Sequence, residues 1–100
     1  MKTIDKLYQE TLNGQVELLL NMSAQEIKDL DDYGQEIVTI DNRKIEIGWW
    51  KYKLNEQTTH IVYKTFRKTF LFLQRPYLQG IKIVNDKIEY LSDEELGDYD

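Results

Sequence analysis

Along the first twenty positions Ile4, Leu7, Tyr8, Leu12, Val16, Leu19 and Leu20 recur at three- and four-residue spacing, with Lys2, Asp5, Lys6, Gln9 and Glu10 between them. That period predicts an amphipathic helix with one buried stripe. Gly14 lies inside the run. A mid-helix glycine costs up to about 1 kcal/mol relative to alanine, so Asn13-Gly14 is the expected place for one long helix to divide. Ser23 followed by Glu26 has the spacing of a capping box, and Met22 and Ile27 stand at the flanking positions of a hydrophobic staple. A second helix is predicted from Ala24 to about Tyr33, closed by Gly34 in the left-handed conformation that glycine tolerates.

Beyond Gly34 the period falls to two. Ile37-Val38-Thr39-Ile40 and Lys44-Ile45-Glu46-Ile47 flank Asp41-Asn42-Arg43, which predicts a tight hairpin. A second hairpin is predicted from Ile81 to Leu91, with Asn85-Asp86 supplying the positive φ angles of a two-residue turn. Between the hairpins the apolar positions change parity, from Ile45, Ile47 and Trp49 to Trp50, Tyr52 and Leu54. A strand buried on one face cannot do this without exposing one set. A bulge at Gly48-Trp49-Trp50 is therefore expected, the alternative being a strand buried on both faces. The β-branched run around Thr58, Thr59, Ile61, Val62 and Thr65 predicts a strand over at least Thr59 to Phe66, while residues 67–79 stay open between strand and helix. Pro76 is expected to end whatever precedes it. Ser92 and Glu95 repeat the capping-box spacing and predict one helical turn before Gly97. The fold class is α+β: N-terminal helices followed by a four- to five-stranded antiparallel sheet built from hairpins.

One hundred residues suit a single domain, with a helical part at 1–34, a sheet part at 35–91 and an acidic tail at 92–100. The absence of cysteine removes disulfides, thiolate metal sites and cysteine nucleophiles. The longest apolar runs, Leu18-Leu19-Leu20 and Phe70-Leu71-Phe72-Leu73, are far shorter than a membrane span, and the start of the chain turns acidic at once. A cytoplasmic location with no membrane partner is the expectation. The excess of Ile, Lys, Asn and Tyr over Ala, Gly, Pro and Arg suits an AT-rich genome, such as that of a low-GC bacterium or its phage.

The chemistry-bearing residues are few. Ser23 and Ser92 are the only serines and both are explained as caps, while His60 is the single histidine. A His-assisted serine nucleophile therefore has no support, and His60 reads as an ordinary exposed or half-buried strand residue. Zinc would have one histidine and carboxylates, an unusual ligand set. The stretch from Asp29 to Ile40 fails as a calcium loop, with Tyr33 at its fifth position and Ile40 at its twelfth. No glycine-rich loop precedes a helix. No enzyme activity, catalytic residue, metal or cofactor is expected.

Charge order is the more informative feature. Residues 1–42 carry a net −6, residues 43–84 a net +7 and residues 85–100 a net −6, so the total of −5 hides a basic centre between acidic ends. Eight of the twelve aromatic residues share that centre, which gives it the makings of a binding surface. On one reading the acidic ends work, with Asp29, Asp31, Asp32, Glu36, Asp93, Glu94 and Glu95 facing a protein that has a basic surface, such as the groove of a nucleic-acid enzyme. Small phage and mobile-element inhibitors, anti-CRISPR proteins and nucleic-acid mimics among them, act in this way. On the alternative reading the central sheet binds single-stranded RNA or DNA through Trp50, Lys51, Tyr52, Lys53, Tyr63, Lys64, Arg67 and Lys68. The third is structural: lysine alternating with aromatic residues describes any one-sided sheet, and the domain then serves packing or oligomerisation with no ligand. Net charge and the absence of a ribonucleoprotein-type motif favour the protein partner. Oligomeric state is not legible at this level.

Overall fold

The computed structural model describes residues 4–68 and 74–99. Helices α1 (Ile4–Leu19) and α2 (Ala24–Lys28) lead into strands β1 (Tyr33–Ile40), β2 (Arg43–Lys53), β3 (Thr58–Lys68), β4 (Gln74–Val84) and β5 (Lys87–Tyr90), and α3 (Asp93–Gly97) closes the chain. The sheet is antiparallel with order β1-β2-β3-β4-β5, each strand beside its neighbour in sequence. Helices followed by an antiparallel sheet make the fold α+β, as the periodicities require.

The local signals hold where they are self-contained. Both capping boxes form: the Ser23 hydroxyl accepts the Glu26 amide and the Ser92 hydroxyl accepts the Glu95 amide, each at 3.1 Å. Asp41 and Asn42 adopt φ of 49° and 63°, and Asn85 and Asp86 adopt 51° and 66°, so both hairpins close on two-residue turns of the primed kind.

Four expectations are corrected. α1 runs unbroken through Gly14, which is exposed, because Tyr8, Leu12, Val16 and Leu19 bury one continuous stripe on either side of it. Burying a Leu or Val side chain is worth roughly 1.5–3 kcal/mol, more than one glycine costs. α2 is shorter than predicted and capped by Asp29, while Tyr33 and Gly34 already belong to β1. Gly34 has no positive φ. It lies opposite Trp49, whose ring crosses it so closely that a Cβ would overlap the indole. The glycine therefore serves a close approach from the next strand rather than a helix terminus.

No bulge interrupts β2. Its register runs unbroken from Ile40↔Arg43 to Tyr33↔Trp50 on one side and from Ile47↔Thr65 to Lys53↔Thr59 on the other. Ile45, Ile47, Trp49 and Lys51 consequently face the helices, and Gly48, Trp50 and Tyr52 face the opposite, outer side. The second apolar set faces outward with Trp50 half-buried and Tyr52 and Leu54 exposed, so the strand is neither bulged nor buried on both faces. Pro76, finally, sits inside β4 opposite Phe66 instead of ending an element. β5 reaches only Ile81 to Val84, so at Pro76 the far side of β4 is an edge, where a missing N–H breaks no ladder bond. Of the open stretch 67–79, residues 67–68 extend β3 and 74–79 begin β4, and 69–73 lie outside the described residues.

The main core lies between α1, α2 and the inner face, where Leu12, Val16, Ile27, Ile47, Ile61 and Ile81 are fully buried. A smaller cluster on the outer face joins Val62 to Leu91 and Leu96, with Leu78 and Tyr99 against it. α3 and the residues after it thus cover the β3–β4 part of the outer face and leave the β1–β2 part open.

Candidate interaction surfaces

The tail is held to the outer face by polar contacts as well as by Leu91 and Leu96. Tyr99 stacks on Tyr52 with ring centroids 4.8 Å apart, and its hydroxyl lies 2.7 Å from His60 Nδ1. Its carbonyl accepts from Lys64 Nζ at 2.7 Å. Burial lowers the His60 pKa and, with the neighbouring Tyr52, raises that of Tyr99. Both shifts favour a neutral imidazole hydrogen-bonded to a protonated phenol. Glu95 accepts the Ser92 amide and both its oxygens contact Lys82 Nζ, which hold its carboxyl down at about 2.

The basic and aromatic candidates do not form one surface. Strand alternation sends Lys51, Tyr63 and Arg67 to the helix side and Trp50, Tyr52 and Lys64 to the outer side. Lys51 Nζ donates to the carbonyls of Lys28 and Leu30 at the end of α2 and lies 3.7 Å from Asp32. Arg67 pairs with Asp5 of α1 at 3.2 Å. Tyr63 is buried and stacked on Trp49, and burial followed by the Glu36 charge pushes its phenol up to about 12. Lys53 is exposed at the end of β2, and the Lys68 side chain lies outside the described residues.

The acidic candidates are equally divided. Asp29 caps α2 and accepts from Gln25 at 2.9 Å. Asp31 and Asp32 are exposed in the link to β1, and Glu36 is exposed on the helix side of β1. Asp93, Glu94 and Glu95 sit on α3, over the opposite face. The two acidic ends flank the sheet rather than merging.

What the structure does bring together is a patch of exposed aromatic and aliphatic side chains, with Glu46 of β2 opposite Ile37 and Lys64 Nζ 5.9 Å from the centre of the Phe66 ring. Tyr33 and Ile37 of β1 are 72% and 62% exposed, and Phe66 of β3 is 47% exposed. All three lie on the outer face, with half-buried Trp50 beside Tyr33 and Tyr52 at 39% exposure next along β2. A hollow of about 340 Å³ lined by Tyr33, Gly34, Gln35 and Trp50 opens at the sheet edge. Sequence reading missed Tyr33 and Ile37, the first because it was assigned to a helix end. The available signal was the alternation of Tyr33, Gln35, Ile37 and Thr39. Tyr99 was missed too, although it falls three positions after Leu96 on one helical face.

Among the described residues no group of three or more His, Asp or Glu side chains could hold a metal ion, and no helix is long and apolar enough to cross a membrane. No protein-family model matches the chain, and no curated protein or solved structure matches it either.

Proposed function

We propose that this protein is a non-enzymatic binding module that docks on a partner protein with a basic surface, as an inhibitor or regulator of a nucleic-acid-handling protein. The observation that carries the reading is where the opposite charges go. Lys51, Lys64, Arg67 and Lys82 of the basic centre are engaged within the fold by backbone carbonyls, Asp5 and Glu95. Asp31, Glu36, Asp93 and Glu94 remain exposed. Arg43, Lys44 and Lys53 stay exposed as well, but with Lys51 and Lys64 held by backbone carbonyls the surface left to a partner is more acidic than the sequence blocks imply, and Asp31 and Glu36 lie beside and along the strand that carries Tyr33 and Ile37. Aromatic anchors inside a charged rim suit protein recognition, with the rim setting the rate of encounter and the anchors the lifetime.

The test is affinity capture from a host lysate with the wild-type chain beside Trp50→Ala and an Asp31→Asn, Glu36→Gln, Asp93→Asn, Glu94→Gln variant. The reading expects one stoichiometric basic protein. The tryptophan change should weaken its binding roughly 30-fold, the size of a 2 kcal/mol anchor. The acid changes should mainly slow association and flatten its salt dependence. If the chain instead bound labelled single-stranded RNA or DNA tightly, with affinity falling steeply with salt, the nucleic-acid alternative would replace this proposal.

A further inference from the structure

The two edges of the sheet are protected unequally. β5 has four residues and carries Lys87 and Glu89, the short, charged kind of edge that resists pairing. β1 has eight residues, Glu36 as its one charge, no proline and an uninterrupted register, and it ends the sheet on the other side. The Lys51 amide donates to the Asp32 carbonyl at 2.7 Å. Alternation along an antiparallel ladder then turns the main chain of the even-numbered residues of β1 toward β2, and the N–H and C=O of Tyr33, Gln35, Ile37 and Thr39 outward. Among the described residues no backbone hydrogen bond reaches those groups, and such an edge flanked by exposed Tyr33 and Ile37 is a template for another strand.

We infer that β1 pairs antiparallel with β1 of a second copy of this chain, about a two-fold axis at Gln35, joining two five-stranded sheets into one. Charge sets the direction. One end of β1 adjoins Asp29, Asp31 and Asp32, and the other adjoins Arg43 and Lys44 beside the single acid Asp41 of the turn, a net positive end. Antiparallel pairing puts the acidic end of each copy beside the basic end of the other, whereas parallel pairing sets like ends together.

Register follows from the side chains. Outward-facing residues can be matched about Gln35, Glu36 or Ile37. Centring on Glu36 sets two glutamates opposite each other, and centring on Ile37 leaves the exposed Tyr33 beyond the paired stretch, whereas centring on Gln35 pairs the five residues Tyr33 to Ile37 of β1. Centring on Gln35 places Tyr33 opposite Ile37 of the second copy twice over. Each is an aromatic–β-branched pair worth roughly 0.2–1 kcal/mol. It also sets Glu36 opposite Gly34, the position crossed by the Trp49 indole. This inference goes beyond the proposed docking role and holds whether or not the outer face binds another protein.

An edge of this length buries less than the roughly 1,600 Å² of a standard interface, so half-association on the order of 10–100 µM is expected. Sedimentation velocity of the full chain, from micromolar to millimolar concentration, should show the mass rising toward twice that of one chain. Gln35→Pro removes an outward amide and no bond to β2. It should keep the wild-type circular dichroism and melting temperature yet stay at single-chain mass. Ile37→Glu should weaken association at least tenfold, and adding Tyr33→Lys should restore it, because the Gln35 register alone sets those positions opposite. The chain has no cysteine, so Gln35→Cys should cross-link to itself under mild oxidation. A mass that stays at one chain throughout, or a Gln35→Pro variant that associates as well as wild type, overturns the inference.

Discussion

Tyr99 decides what His60 is. An imidazole buried in a strand would ordinarily leave a ring nitrogen in need of a partner, and here the tail supplies it. Because burial lowers the His60 pKa from 6.5, the unfolded chain binds that proton more readily than the folded one. The contribution of His60 to stability is therefore present above pH 6.5 and lost as pH falls below it. Urea denaturation at pH 7.5 and 5.5 should show a loss for wild type that shrinks in His60→Gln. Glu95 acts lower on the scale. Its pKa, held at about 2 by the Ser92 amide and Lys82, gives stability above pH 4.5 that disappears between there and about 2. Lys82→Met should move the Glu95 titration upward in a carboxyl-detected NMR series. Gly80 is a steric counterpart to these polar sites: a Cβ there meets the Ile61 carbonyl oxygen and the Leu91 side chain. Gly80→Ala should cost about 1–3 kcal/mol in denaturant melts, as overpacking of a filled site does.

Elements whose signals are local could be read directly. The serine–glutamate spacings at both short helices and the Asn-Asp and Asp-Asn turns each specify a conformation within four residues, and all four form. They also make local predictions. Ser23→Ala should cost about 1 kcal/mol, the usual worth of a helix cap. Asn42 sits at φ 63°, so Asn42→Gly should raise stability by a few tenths of a kcal/mol in thermal melts, since glycine reaches that region without strain. Elements whose boundaries depend on a neighbour could not be read in this way. Gly34 looked like a helix stop because the indole that requires it lies on β2, fifteen positions away. Pro76 looked like a terminator because nothing nearby in sequence says that β5 is too short to reach it. The eight basic and aromatic candidates looked contiguous, although strand alternation had already divided them by parity.

At the scale of the whole molecule the tail is a structural part rather than a loose acidic appendage. Deleting residues 92–100 should remove the cover that Leu96 and Tyr99 give Val62 and Leu78. Taking each of the two lost side chains at 1.5–3 kcal/mol, this costs about 3–6 kcal/mol. The truncated chain should bind more of a hydrophobic dye than the full chain. The same cover explains the charge pattern: Lys64 and Lys82 meet the C-terminal segment and Lys51 and Arg67 meet the N-terminal one. The blocks are in good part the two sides of contacts made within the fold. By itself the sequence determined the α+β class, the capped helices, the primed turns and the two interleaved apolar sets of β2. Period, cap spacing and turn chemistry act over a few residues and need no distant partner. Only the tertiary structure decided that the tail covers the β3–β4 part of the outer face, that four cations of the basic centre are engaged internally, and that β1 is left as an open edge with Tyr33 and Ile37 exposed. Those outcomes depend on which strand ends beside which and how far each neighbour extends, which is fixed by packing between segments far apart in the chain.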